Sequence, residues 1–490
     1  MQKIARRDFI KYSIITGSAA LIGGRKFTAA SYSQVPGAND QIRIAIVGFN
    51  SKGKQHIEEF YKVPGVKIVA LCDVDKDILE REAALFRARG ETVTMCQDVR
   101  KILDDKNIDA LVIATPNHWH SLLGIWACQA GKDVYVEKPV SHNVWEGRQL
   151  VNAARKYNRI VQSGTQNRSD TGLREAMAYI KEGNLGKIQW AYGLWYKQRF
   201  GIGMVTTPQI PPANIDFNLW TGPAEMKPLM RKNVHYDWHW FWNTGNGDLA
   251  NTGVHQIDDC RFMLGDPGYP KRVMSFGSRF AFDDNAETPN THLAVFEFAS
   301  APPIIIEIRN LPMKKGMTTM DHFRGVRDGG NIIQCENGYF AGGRGGGWIY
   351  DNDNKKIIQF PGDGGGSHGA NFIDAVRSRK SSELHSEIIQ GHISSAYCHF
   401  ANISWRLGEQ RSPEAIKEQL SGNQVALDGF ERVLGHLTAN EIDLQKTPIT
   451  CGPWLEIDAE KEKVKGKLAR QANKQLSRKY RKPFVVPKKV

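Results

Sequence analysis

The chain has 490 residues, 41% of them hydrophobic, with 65 Lys or Arg against 52 Asp or Glu, a size and composition that predict a globular protein of two domains with appendages. Its net charge of +13 is concentrated, since twelve Lys or Arg and a single acid, Glu462, fall within residues 461–490. This argues against a general nucleic-acid surface and predicts a basic C-terminal extension over residues 441–490, a solvated helix face and docking strap. The seven cysteines are scattered with no Cys-x-x-Cys pair, so neither a disulfide framework nor a zinc site is expected, and after the N-terminus no stretch approaches the ~20 apolar residues of an integral membrane helix.

Arg6-Arg7-Asp8-Phe9-Ile10-Lys11, followed by the apolar run 12–24 and small residues at Ala29-Ala30-Ser31, reads as a twin-arginine export signal and linker over residues 1–34, which predicts a periplasmic protein exported in its folded state. The apolar run 42–47 ends at Gly48 and predicts a first parallel strand. Gly48-Phe49-Asn50-Ser51-Lys52-Gly53 has the form of a dinucleotide-binding glycine turn whose middle glycine is Asn50. Asn accepts positive φ better than most residues, so the turn is expected to survive, with a helix running to about Lys62. The apolar run 66–72 ends at Asp73, where a βαβ unit places the acid that binds the adenosine ribose. A carboxylate there repels a ribose phosphate, which predicts NAD rather than NADP.

Residues 110–114 predict another buried strand, closed by Thr115-Pro116-Asn117-His118-Trp119-His120. Residues 133–136 predict the next, and Glu137-Lys138-Pro139 follows at its carboxyl end. Open α/β sheets bind ligands at that rim, so the Lys138 ammonium is placed to hold or polarise a substrate oxygen. Residues 159–162 repeat the pattern before Gly164-Thr165-Gln166-Asn167-Arg168. From Gly186 onward, alternating or aromatic runs at 187–196, 273–282, 292–298 and 303–308 predict an antiparallel sheet. Helical spacing follows at 371–379 and 391–407. The glycine-rich stretches 342–347 and 362–366 read as turns, because no Lys-Ser or Lys-Thr follows them as in a phosphate loop.

Taken together, Gly48-x-x-x-x-Gly53, Asp73, Thr115-Pro116-Asn117-x-x-His120, Glu137-Lys138-Pro139 and Gly245-Asn246-Gly247-Asp248-Leu249-Ala250-Asn251-Thr252-Gly253-Val254-His255-x-x-Asp258 resemble the glucose-fructose oxidoreductase, inositol dehydrogenase and MocA (Gfo/Idh/MocA) family over about residues 40–410. The resemblance implies an α/β fold in which an NAD-binding Rossmann domain (40–165) precedes a substrate and oligomerisation α+β domain (166–440) built on an open, mostly antiparallel sheet. It also implies a carbohydrate or cyclitol substrate and a homodimer or homotetramer. By position, Lys138 matches the family's catalytic lysine and His255 its catalytic histidine, while Asn251 stands where an aspartate is common. Gln166 occupies the place of an asparagine that touches the cofactor. Cofactor contacts are expected from Gly48, Phe49, Asn50, Ser51, Gly53, Asp73, Thr115, Asn117, His120, Glu137, Lys138 and Gln166.

Residues 251 and 255 share a face if the segment is one helix, so both are expected at the nicotinamide. His255 would take a hydroxyl proton and Lys138 would steady the oxygen. Lacking a carboxylate at 251, His255 needs another orienting group, for which Asp248 and Asp259 are candidates. The chain is aromatic here, with Trp190, Trp195, Tyr196, Trp220 and the run His235-Tyr236-Asp237-Trp238-His239-Trp240-Phe241-Trp242. Aromatic faces pack on sugar rings, which makes Tyr196, Trp238 and Trp240, with Arg168, the candidate substrate residues. The spacing of His235, His239 and His255 fits no usual metal-ligand pattern. The sequence therefore predicts an exported NAD-dependent oxidoreductase acting on a sugar or glycoside, with a tightly bound, recycled cofactor. Two alternatives stand beside it. One is an NAD-using glycosidase working through transient C3 oxidation, although the family's exported glycosidases carry a Tyr-Pro-Thr-His-Gly type segment that residues 249–255 lack. The other is a non-catalytic carbohydrate-binding protein, suggested by the departures at Asn50 and Asn251.

Overall fold

The computed structural model describes residues 41–490; the expected export signal, residues 1–34, lies outside the described residues. The first layer is built from β1 (Ile42–Val47), α1 (Lys52–Tyr61), β2 (Val66–Cys72), α2 (Lys76–Ala88), β3 (Thr94–Cys96), β4 (Ala110–Ile113), α3 (Asn117–Gln129), β5 (Asp133–Val136), α4 (Val144–Lys156) and β6 (Val161–Ser163). Its six strands are parallel, in the order β3-β2-β1-β4-β5-β6. They are continuous apolar runs because helices cover both faces of the sheet. The order reverses between β1 and β4, which opens a crevice at the carboxyl ends of these strands.

The turn after β1 departs from expectation in one respect. Within it only Gly48 has positive φ, at 76°, so Asn50 is not called on for a left-handed backbone. Gly53 is required for a different reason: a Cβ there would stand 1.9 Å from the Gly48 carbonyl oxygen. Helix α1 can therefore pack directly on the turn.

The second layer is a twelve-stranded mixed sheet centred on β7 (Ile188–Tyr196). Two helices follow in sequence, α5 (Gly247–Asn251) and α6 (Gly253–Met263), then β8 (Arg272–Ser278), β9 (Thr291–Glu297), β10 (Ile304–Arg309) and β11 (Gly329–Cys335). Pairing is antiparallel except between β10 and β7. Helix α6 buries Val254, Ile257 and Cys260 against one face. Further helices used below are α7 (His368–Ser378), α8 (Ile388–Arg406) and α9 (Gln424–Ala439).

The sheet is open at its edges, and over the central strands its opposite face is covered by a helix. Helix α9 lays Phe430, Val433 and Leu437 on Tyr192, Phe276, Leu293 and Ile305. Later segments of the chain also pack on the first layer. Phe372 and Ile373 of α7 pack with Phe60 and Tyr135, and Phe484 and Val486 of the basic extension are buried against the first layer. That extension is a hairpin (Leu455–Asp458, Lys463–Lys465), a five-residue helix (Ala469–Asn473) and a strap, held by aromatic and apolar anchors while its lysines stay in water. The described residues contain no helix long and apolar enough to cross a membrane.

Candidate active site

At the carboxyl end of the first sheet lies a cleft of about 410 Å³. The β1–α1 turn, Asp73, Thr115, Asn117, His120, Glu137, Lys138, Gln166, Asn251 and His255 all face it. Asp73 organises one end. Its Oδ2 accepts the Phe49 N–H (3.0 Å) and its Oδ1 the Asp75 N–H (3.0 Å), which ties β2 to the glycine turn. Burial raises its pKa, against the opposing pull of those two N–H groups. Each oxygen keeps one lone pair, matching the two hydroxyls of a ribose. Thr115 Oγ1 is buried without a partner, and Gly48 approaches it so closely that a Cβ would lie 3.0 Å from its Cγ2. These features fit a dinucleotide, whose backbone must come close to such a turn.

Asn117 donates to Asn246 Oδ1 (3.1 Å), tying α3 to the second layer. His120 faces two carbonyls, Pro139 O at 2.7 Å and Thr115 O at 2.6 Å, and so positions the Lys138 loop against the β4 turn. Behind Lys138, Glu137 accepts from His56 Nε2 (2.8 Å), Gln166 Nε2 (2.9 Å) and the Lys138 N–H (3.2 Å). Burial opposes ionisation of Glu137, yet the His56 hydrogen bond and charge hold its carboxyl well below the usual range. Lys138 Nζ donates to the Asn251 carbonyl oxygen at 2.6 Å. Burial lowers the lysine's pKa, only partly offset by Glu137.

Asn251 thus acts through its backbone. Its side chain turns to Asp248 Oδ1 (3.1 Å). The expected single helix is broken at Thr252 (φ −127°, ψ −39°), between α5 and α6, and His255 enters the cleft from the first turn of α6. Neither candidate orienter reaches it: Asp248 is paired with Arg199 (2.6 and 3.0 Å), and Asp259 accepts from Asn167 (2.9 Å) and Asn331 (3.0 Å). His255 Nδ1 is buried without a hydrogen-bond partner. Burial, then the Lys138 charge, pushes its pKa down to about 3, so the imidazole is neutral at physiological pH.

Of the four substrate candidates, only Trp238 lines the cleft. Arg168 is buried in ion pairs with Asp258 (2.7 Å) and Asp266 (2.6 Å), which clamp the loop after β6 to α6; a buried guanidinium needs such partners. Tyr196 is fully buried under the Arg309 guanidinium, 4.7 Å from its ring centroid. Trp240 is buried beside Arg199. The wall is completed by Trp220, His235, Tyr236, His239 and, from the strap, Phe484. Gly53 stays behind the turn. His56, Lys52, Arg344 and Phe484 were not foreseen. His56 lies on the buried face of α1 with no motif around it, and Arg344 comes from a glycine-rich hairpin that reads as a plain turn. Among the described residues no three His, Cys, Asp or Glu side chains converge as a metal site.

The sequence carries the same assignment. A model of the Gfo/Idh/MocA oxidoreductases, with an NAD-binding Rossmann fold, matches residues 42–165, and one for their C-terminal α/β domain matches residues 180–281. The chain belongs to the Gfo/Idh/MocA oxidoreductase family. This family member is 30% identical over 162 residues to a glycosyl hydrolase family 109 protein of Solibacter usitatus, covering 31% of this chain and 37% of that protein. It is 30% identical over 225 residues to the uncharacterized oxidoreductase YrbE of Bacillus subtilis, covering 46% and 54%. The chain therefore spans about a third to a half of the length of these curated relatives. Among solved structures, levoglucosan dehydrogenase in complex with NADH aligns over 74% of this chain and 95% of its own, at TM-score 0.54 and 18% identity. The WlbA dehydrogenase of Bordetella pertussis, in complex with NADH and UDP-GlcNAcA, aligns over 72% and 93% at TM-score 0.51 and 20% identity. That likeness is one of fold.

Proposed function

We propose that this protein is an NAD-dependent oxidoreductase acting on a hydroxyl or ketone of a sugar or glycoside, with a tightly held cofactor recycled within each turnover. The observation that carries the reading is the convergence of Lys138 and His255 on the cleft whose other wall is the glycine turn and Asp73. Bound nicotinamide supplies the hydride acceptor or donor. The side chains of the protein do the rest. Lys138, anchored by one N–H on the Asn251 carbonyl, keeps two N–H groups for the substrate oxygen and stabilises negative charge developing there. His255, neutral at working pH, receives the hydroxyl proton. The aromatic wall of Trp220 and Trp238 suits the apolar face of a sugar ring.

A second reading, an NAD-using glycosidase in which the same pair serves transient oxidation, is favoured by the relatives named as family 109 glycosyl hydrolases. Export through the twin-arginine route rests on Arg6 and Arg7 and is tested by fractionating cells that express Arg6→Lys/Arg7→Lys. A homodimer or homotetramer is the proposed assembly, tested by light scattering. The enzymatic reading is tested by purifying the mature protein without added nucleotide, denaturing it and identifying released dinucleotide by mass spectrometry. Stoichiometric NAD(H) is expected. An empty protein that also fails to bind added NAD or NADP would overturn the reading in favour of a carbohydrate-binding protein.

A further inference from the structure

A second cavity, of about 660 Å³, is lined by residues around His142, by Trp242 and Asn246, by Asn402 and Arg406 of α8, and by residues 474–481 of the strap. Asn246 stands between it and the cofactor cleft: Oδ1 accepts from Asn117, Nδ2 donates to the His142 carbonyl oxygen (3.1 Å), and its own carbonyl accepts from Asn402 Nδ2 (2.9 Å). The strap that closes the cavity lies outside the stretches matched by the family models, so this chamber is built by the chain's own extension.

Its charge is one-sided. Lys227, Arg406, Lys474, Arg478, Lys479 and Arg481 line it, and Glu225 is the one acid among the lining residues, itself 3.5 Å from Lys227. Among the described residues no carboxylate forms an ion pair with Arg406 or Arg478. The Arg406 guanidinium, exposed at the rim, lies over the Trp242 ring at 5.2 Å from its centroid. Arg478 donates to Asn243 O (2.9 Å), Asn243 Oδ1 (2.8 Å) and His142 Nδ1 (3.2 Å).

That last contact fixes a tautomer. Arginine only donates, so His142 Nδ1 accepts and the neutral ring carries its proton on Nε2. Burial, and then the Arg478 charge, keep this imidazole neutral. The Nε2–H is buried without a protein partner, and so is Oδ1 of Asn402, a residue only 4% exposed. Leaving a buried donor and a buried acceptor unpaired is costly unless something supplies the missing partners. A cationic chamber with one such donor, one such acceptor and an indole wall fits a ligand bearing a carboxylate, hydroxyls and an apolar ring face.

We propose that this second cavity binds an acidic monosaccharide of the uronate class, its carboxylate on Arg406 and Arg478, its hydroxyls on His142 Nε2 and Asn402 Oδ1, and its ring against Trp242. The site is distinct from the reaction at Lys138. The test is calorimetric titration of the purified full protein with sodium glucuronate, glucose and sodium acetate, repeated on Arg406→Ala and Arg406→Glu. Arg406 is exposed and makes no hydrogen bond to another described residue, so both variants should fold, with melting temperature and NAD affinity unchanged. Glucuronate is expected to bind saturably, with glucose and acetate each at least about tenfold weaker, and Arg406→Ala should weaken glucuronate by about tenfold or more, the effect of losing one hydrogen bond to a charged group. Arg406→Glu should abolish binding. Glucuronate affinity unchanged in Arg406→Ala would place the sugar elsewhere and overturn the proposal. So would equal affinity for glucose, which removes the role of charge, or for acetate, which removes the role of the ring.

Discussion

Asp73 offers a sharp test of how the cofactor is held. Its two oxygens already accept the Phe49 and Asp75 N–H groups, and each has one lone pair left for a ribose hydroxyl. Hydrogen bonds to a charged group are worth about 1.5–3 kcal/mol each, so Asp73→Ala should lose about 3–6 kcal/mol of NAD binding, roughly 10²–10⁴ in Kd. Asp73→Asn keeps one acceptor oxygen and should fall between wild type and Ala. The carboxylate also repels the phosphate of NADP, and its removal should bring NAD and NADP affinities together. Because burial raises the Asp73 pKa above 3.8, NAD should weaken on acidification at a higher pH than for an ordinary aspartate. Titration of nucleotide-stripped protein with NADH and NADPH, followed by nicotinamide fluorescence, measures all of this. Unchanged NAD affinity in Asp73→Ala, or parallel losses for NAD and NADP, would refute the assignment.

Four further outcomes are expected. His255 titrates near 3 and the Lys138 pKa is lowered from 10.5, so kcat/KM should be flat through neutral pH and fall on the alkaline side before pH 10.5; a steep acid limb near pH 6.5 would contradict this. Asp259, raised to about 7 chiefly by burial, has a folded pKa above its ordinary 3.8. Its stabilising contribution is therefore complete below about pH 3.8 and is lost as pH rises through about 7. Asp259→Asn should remove that loss and raise stability at pH 8 relative to wild type, seen in denaturant melts across pH. Phe484 is 1% exposed and packs edge-on against Trp119, with ring centroids 5.4 Å apart. Phe484→Ala should cost about 3–5 kcal/mol, with the melting temperature and the protease resistance of the strap falling together. Gly53→Ala, whose Cβ would stand 1.9 Å from the Gly48 carbonyl, should distort the turn and abolish NAD retention, checked by mass spectrometry of the denatured protein.

The cofactor half of the site was legible in sequence because each element there has a local signature: an apolar run, a glycine turn, then an acid at the end of the next strand. Lys138 was legible for the same reason, standing at the carboxyl end of β5. The environment of His255 was not. Residues 251 and 255 were expected to share one helical face, but the break at Thr252 sends the Asn251 carbonyl, not its side chain, to Lys138, and backbone direction leaves no mark in residue type. Arg168 misled because an arginine beside a cofactor loop resembles a substrate ligand, whereas its partners Asp258 and Asp266 lie about 90 residues downstream. Helix α9, which covers the central sheet, has an amphipathic pattern consistent with any packed helix, so the face it closes could not be read from it. Likewise Phe484 and Val486 sit in a lysine-rich tail whose charge hides two core anchors.

The most direct measurement of the central claim is the rate of nicotinamide reduction when the NAD-loaded protein is mixed with sugars and glycosides, compared between wild type and Lys138→Met. The account predicts reduction in wild type and, with NAD saturating in both proteins, a loss of about 10²–10³ in rate for the variant, as expected when one preorganised donor to a developing oxyanion is removed. Reduction at the same rate in both would contradict it.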